Sequence, residues 1–299
     1  MNRFLKTVLP ILGVVLFAAC NRHASTPPAE RLTLGVVPKG STLEFWKAVH
    51  AGALKAGRDL EAEILWKGPV REDDLAAQIA VVEAFVARGV NGLLLAPLDD
   101  RALRGPVSNA VHAGIPVVIF DSDLQSDLAA SFVATDNREA GRKAGDALAR
   151  LLEGKGRVAL LRYAEGSAST VERETGFLEA IARYPEIQVV SADRHGGASM
   201  ASAHEAALAL LAAFTPPDGR LGIDGLFCPN ESTSSGMLQA LRETGRAGTV
   251  RFVGFDSAPD LVAALDQGHC DALLLQDPVN IGYQGVKTLV QHLRGQSVP

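Results

Sequence analysis

From residue 31 onward, short apolar runs alternate with longer stretches in which apolar residues recur at helical spacing. The runs at 32–37, 63–66, 92–96, 116–120, 131–134, 157–162, 188–193, 225–228, 250–255 and 272–276 are too short for helices and read as strands, the central ones buried on both faces. Between them lie amphipathic stripes such as Leu75, Ile79, Val82 and Phe85. After the run at 92–96, Asp99 and Asp100 suit the first turn of a helix, Leu103, Val107, Ala110 and Val111 continue it, and Gly114 and Pro116 end it. This alternation predicts an α/β fold with parallel sheets and helices on both faces. One place breaks the rhythm: the runs at 116–120 and 131–134 are separated by a short polar loop with no room for a crossover helix. A second α/β series starts at Asp136 and repeats the plan of the first. The expectation is therefore two similar Rossmann-like lobes joined by a hinge near Ala134.

The first residues change the picture of where the protein works. Arg3 and Lys6 form a positive segment, an apolar stretch follows to Phe17, and Ala18 and Ala19 precede Cys20. The stretch is shorter than the roughly 20 apolar residues that span a bilayer. Residues 1–20 thus read as a targeting signal similar to a bacterial lipobox, in which Cys20 is acylated, although Phe17 stands where leucine is usual. Residues 21–30, with Ser25, Thr26, Pro27 and Pro28, read as a tether. Cys228 falls at the end of one strand and Cys270 at the start of another, which argues against a disulfide, and both read as small buried hydrophobes.

Composition excludes more than it proposes. Lys and Arg number 29 against 34 Asp and Glu, so no charge excess points to nucleic acid. No nucleophile elbow, phosphate-binding glycine loop or metal-ligand spacing of histidines is present, so neither a catalytic centre, nor a metal, nor a cofactor is expected. What remains is a set of polar and aromatic residues just beyond the strands, where open parallel sheets bind ligands. They are Lys39, then Phe45 and Trp46, then Asp121, Asp136, Asn137, Arg173, Asn230, Asp256 and Gln276. Carboxylates and amides pair with hydroxyls, arginine donates a planar fork, and aromatic faces cover the C–H surface of a sugar ring. Asp99, Asp121 and Asp256 would serve equally as caps of the segments that follow them.

The segments GVVPKGSTLEFWKAVHAGA, GLLLAPLDD, GIPVVIFDSD, FVATDNREAG, VERETGF, GLFCPNES, VGFDSAPD and LLLQDPVNIG occur in one order. In that order they resemble the ribose-type periplasmic sugar-binding proteins of ABC importers, over nearly all of residues 31–299. The resemblance implies the type I periplasmic binding protein fold, with 31–134 plus 277–299 in the first lobe and 135–276 in the second. It implies that Phe45 and Trp46 stack on the sugar ring and that Asp121, Asn137, Arg173, Asn230, Asp256 and Gln276 take its hydroxyls. It further implies a monomer that hands its ligand to an ABC permease; the lipobox-like signal would hold it at the membrane by a lipid on Cys20. Departures are Ala96 where an asparagine is usual, Ser122 where an arginine is usual, and no further strand after Gly295. ValProLys at 37–39 and AspSerAsp at 121–123 resemble instead the subgroup for rhamnose or furanosyl signals, in which the lysine reaches the ligand.

Closure is expected about hinges near Ala134, Asp256 and Gln276. Acids balanced by Arg173 and Lys39 suit a neutral monosaccharide better than an anion. A sensor that presents its closed form to a membrane receptor fits the same residues. A regulator of the same fold would need a DNA-binding helix pair where this chain has its signal, and a glycosidase would need a paired acid and nucleophile.

Overall fold

The computed structural model describes Met1 and residues 31–299; Cys20, the signal and the tether lie outside the described residues. The first sheet holds β1 (Thr33–Val37), β2 (Glu63–Trp66), β3 (Gly92–Leu95), β4 (Val117–Phe120) and β5 (Ser131–Val133). The second holds β6 (Lys155–Arg162), β7 (Glu186–His195), β8 (Gly225–Phe227), β9 (Arg251–Phe255) and β10 (Ala272–Leu274). All pairings are parallel. The strand orders are β2-β1-β3-β4-β5 and β7-β6-β8-β9-β10, so the two sheets repeat one topology.

The central strands are apolar throughout because both faces are covered. Leu34, Val36, Leu94, Val118 and Phe120 pack on one face of the first sheet; Val37, Leu93, Leu95, Val117 and Ile119 pack on the other. This two-residue alternation places helices on both sides. In the second sheet Ala159, Leu161, Leu226 and Phe252 face one core, and Val158, Leu160, Phe227, Val253 and Phe255 the other.

The helices are α1 (Glu44–Asp59), α2 (Leu75–Arg88), α3 (Arg104–His112), α4 (Asn137–Leu151), α5 (Ala168–Ile181), α6 (Met200–Ala213), α7 (Glu231–Glu243), α8 (Pro259–Asp266) and α9 (Pro278–Leu293). Helix α4 follows the last strand of the first sheet yet packs on α5 and on β8, β9 and β10; α9 follows the last strand of the second sheet yet packs on α1 and on β3, β4 and β5. Each sheet is thus completed by a helix that reaches it from the other. Both helix pairs meet through glycines. A Cβ on Gly141 would stand 2.0 Å from the Arg173 carbonyl oxygen, and one on Gly176 2.0 Å from that of Arg138. In the other pair, a Cβ on Gly52 would stand 1.9 Å from the Val279 carbonyl oxygen and one on Gly282 2.1 Å from that of Val49.

Two expectations are corrected. Helix α3 begins at Arg104, not at Asp99 or Asp100, because the Asp99 carboxylate accepts from the amides of Arg101 and Ala102 and closes a separate turn. The chain does not cross between lobes at Asp256: β9, α8 and β10 all belong to the second sheet. Crossings occur after β5 and after β10, where the Thr135 hydroxyl donates to the Gln276 side-chain oxygen at 2.8 Å. Cys228 and Cys270 are buried free thiols.

Candidate functional site

The carboxyl ends of the two sheets face each other across a cleft, and its centre is a small cavity walled by both lobes. Lys39, Phe45, Trp46, Glu72 and Asp121 line it from the first lobe. Tyr163, Ser169, Thr170, Arg173, Asn230, Glu231, Asp256 and Gln276 line it from the second.

Asp121 and Asp256 hold equivalent places. Each follows a sheet's fourth strand with left-handed backbone, φ 61° and 71°, and each donates its amide to the last residue of the fifth strand: Asp121 to Val133 at 3.0 Å, Asp256 to Leu274 at 2.8 Å. Aspartate tolerates this region better than most residues, and the turn aims both carboxylates into the cleft. Asp256 accepts from Gln276 at 2.8 Å and from the Glu231 amide at 3.0 Å. Burial pushes its carboxyl up, against the pull of Arg173.

Arg173 is 3 % exposed. Its Nε donates to Asn137 Oδ1 at 2.8 Å and its Nη1 to the Pro229 carbonyl at 3.0 Å, and the guanidinium lies 4.0 Å from the centre of the Phe255 ring. Among the described residues Nη2 has no acceptor, so the fork is fixed on one side and open on the other. Burial lowers its pKa, opposed by Asp256, Asp121 and Glu72.

Trp46 is buried edge-to-face against Phe45 and Phe120, with ring centres 4.9 and 6.1 Å apart. Its indole N–H donates to Glu72, and the Tyr163 hydroxyl of the opposite lobe donates to the other Glu72 oxygen at 2.6 Å. Burial raises the Glu72 carboxyl, with Lys39 opposing. Lys39 also bridges the lobes: its ammonium donates to Ser167 at 2.9 Å and Ser169 at 3.2 Å and stands 3.6 Å from Asp121. Burial lowers the Lys39 pKa, with Asp121 and Glu72 opposing. Ser122, where the resemblance would place an arginine, accepts the Ser169 amide at 3.0 Å and is another contact across the cleft.

Two of the ten strand-end candidates are not brought to the cavity wall. Asn137 stands behind it, holding Arg173 and donating to the Asp121 carbonyl at 3.4 Å. Asp136 is exposed, and its carboxylate caps α4 by accepting the Glu139 amide at 3.0 Å. Asp136 is therefore not brought to the cavity with the other candidates.

Glu72, Tyr163, Ser169, Thr170 and Glu231 line the cavity without having been expected there. Tyr163 follows β6 as Lys39 nearly follows β1, so the strand-end rule applied to 157–162 points to it. Glu231 adjoins Asn230, whose side chain caps α7 through the Thr233 amide. Glu72 lies in a loop of three acids with no signal to separate it from Asp73 and Asp74.

Residues 34–297 match the family described as "Periplasmic binding protein domain". The ribose import binding protein of Escherichia coli is 31% identical, over 82% of this chain and 81% of its own length. The crystal structure of the periplasmic component of an ABC-type sugar transport system from Hahella chejuensis is 34% identical and superposes with a TM-score of 0.85, covering 89% of this chain and 95% of that one. An ABC transporter solute binding protein from Agrobacterium vitis with bound D-fucose is 34% identical with a TM-score of 0.83, covering 89% and 91%.

Proposed function

The chain belongs to the periplasmic binding protein family, whose members are non-enzymatic transport components, and from that premise we propose that it captures a neutral monosaccharide or deoxysugar between its lobes and delivers it to an ABC permease. The observation that carries this reading is the cavity wall built jointly by both lobes: an open guanidinium fork from the second, an aromatic pair from the first, and an inward carboxylate from each. The fork and the carboxylates suit paired hydroxyls, and the aromatics suit a ring's apolar face. Four acids, Glu72, Asp121, Glu231 and Asp256, surround two cations, Lys39 and Arg173. An anionic ligand would meet an excess of carboxylate and is disfavoured. We assign residues 31–134 and 277–299 to the first lobe and 135–276 to the second, in keeping with the packing of α4 and α9.

Titration calorimetry against neutral aldoses, 6-deoxyhexoses, sugar acids and amino acids tests the proposal. Tight binding of a neutral sugar is expected, and tight binding confined to a sugar acid or amino acid would overturn it. Saturation should also raise the melting temperature and compact the molecule in small-angle scattering.

The protein is further proposed to act as a lipoprotein at the outer face of a membrane. A multiply acylated Cys20 would anchor it where a single chain binds only reversibly. Cys20→Ala is expected to move the protein to the soluble fraction; retention on the membrane would refute the anchor.

A further inference from the structure

Helix α1 carries Phe45 and Trp46 in its first turn, and its own N-cap residue, Leu43, has no side chain able to accept a hydrogen bond. The exposed amides of that turn are met instead from the opposite lobe. Glu231, the first residue of α7, accepts the Glu44 amide with one carboxylate oxygen and the Phe45 amide with the other, both at 3.1 Å. Glu231 is 6 % exposed, and its own amide is held by Asp256. Helix α1 belongs to the first sheet and α7 to the second, so this cap exists only when the two lobes are together.

We propose that Glu231 is the closure latch of the cleft, a carboxylate of the second lobe that caps α1 in trans and so couples closing to the placement of the aromatic pair. The proposal rests on the reading of the molecule as a two-lobed receptor that closes on its ligand. The charged groups facing Glu231 are Asp256 from the end of β9, Glu72 from the loop before α2, and Glu44 with its partner Lys47 from the first turn of α1. Three of these four are acids, and no cation touches the Glu231 carboxylate among the described residues. Closing therefore brings the carboxylate out of water and toward like charges, while two amides hold it.

Burial is the larger effect, and it pushes Glu231 up to about 7 in the closed form, opposed by the two amides. In an open cleft the side chain is solvated and has the ordinary carboxylate value. The closed form thus binds the extra proton. Closure gains as pH falls through 7 toward the ordinary range, and that gain is absent above 7. Protonated, the acid still accepts through its carbonyl oxygen.

Two other amides report closure without involving Glu231: Asp100 N–H donates across the cleft to the Gly166 carbonyl at 2.9 Å, and Ser169 N–H to Ser122 at 3.0 Å. Hydrogen exchange at these two amides in the ligand-free full chain, corrected for the intrinsic effect of pH, measures the closed fraction with no sugar present. Glu231→Gln keeps an acceptor without a charge, and Glu231→Ala keeps neither. Protection at Asp100 and Ser169 should be roughly fivefold lower in the alanine variant than in the glutamine variant, the worth of about one hydrogen bond. In the unsubstituted protein it should rise by about tenfold or more between pH 8 and pH 5.5, and in the glutamine variant the rise should be smaller by the share that Glu231 supplies, since burial in the closed cleft also raises Glu72 and Asp256. Equal protection in the two variants would overturn the latch, and a glutamine variant that keeps the full pH response would overturn Glu231 as a source of it. Core amides of β8 serve as the folding control. A failure here leaves the sugar titrations untouched, so the two readings fall separately.

Discussion

Removing the guanidinium in Arg173→Ala, or the carboxylate in Asp256→Ala, should weaken sugar binding in calorimetric titration by roughly tenfold to a hundredfold or more. Each change deletes a hydrogen bond to a charged group, worth about 1.5 to 3 kcal/mol. The geometry adds a second loss. Arg173 holds Asn137 and the Pro229 carbonyl, and Asp256 holds Gln276 and the Glu231 amide, so each truncation also releases neighbours on the cavity wall. Arg173→Lys is a sharper probe, since an ammonium keeps the charge but cannot reach Asn137, Pro229 and a ligand with one planar fork. It should recover little. Asn137→Ala should cost less than Arg173→Ala, because it only frees a fork that remains charged. Unchanged affinity in both alanine variants would remove these two residues from the site.

The second large effect is on stability. Gly141→Val or Gly176→Val places a Cβ about 2.0 Å from a carbonyl oxygen of the facing helix, where backbone and not a flexible side chain must move. Overpacking costs typically about 1 to 3 kcal/mol, and a clash with backbone belongs at or beyond the top of that range. At about 2 to 4 °C per kcal/mol for a chain of this size, the melting temperature should fall by about 6 to 12 °C. Gly105→Ala is the control: nothing lies within 4 Å of the added carbon. Since the carbonyl that Gly141 meets is that of Arg173, the Gly141 variant should lose sugar affinity as well, whereas Gly52→Val, in the other helix pair, should act mainly through stability. A fall of less than about 2 °C in the Gly141 and Gly176 variants would show that α4 and α5 can separate without loss.

The strands were legible because burial on both faces leaves an unbroken apolar run, as in Leu93 to Leu95 and Val117 to Phe120. The strand order was not, since pairing is decided by contacts between runs that carry the same composition. The start of α3 was misplaced because Asp99 has the residue type of a helix cap and caps a turn instead. A crossing is expected near Asp256, and only the pairing of β9 with β10 shows that the chain stays in one sheet there. In the cavity, residue type separated Arg173 and Trp46 from solvent-facing neighbours once strand ends were located. It could not separate Glu72 from Asp73, or Glu231 from the other surface acids. Their burial is created by the opposite lobe, which no local pattern describes. Asp136 differs in the opposite sense, standing at a strand end yet capping its own helix away from the cavity.

The exchange of α4 and α9 between the sheets also sets an order of assembly. Strands β6 to β10 and helices α4 to α8 form one uninterrupted stretch, so the second lobe can gather its whole core from neighbours in sequence. The first lobe cannot. The face of α1 that carries Val49, Ala53 and Ala56 is covered by Ile281, Val286 and Leu289, and Arg294 donates to the Leu60 carbonyl from 234 residues away. A chain emerging from its amino end would therefore hold an incomplete first lobe until α9 was available. Contacts that span so much sequence are slow to form. The half of the molecule made first would be finished last, and during that interval the apolar side of α1 would be open to other chains.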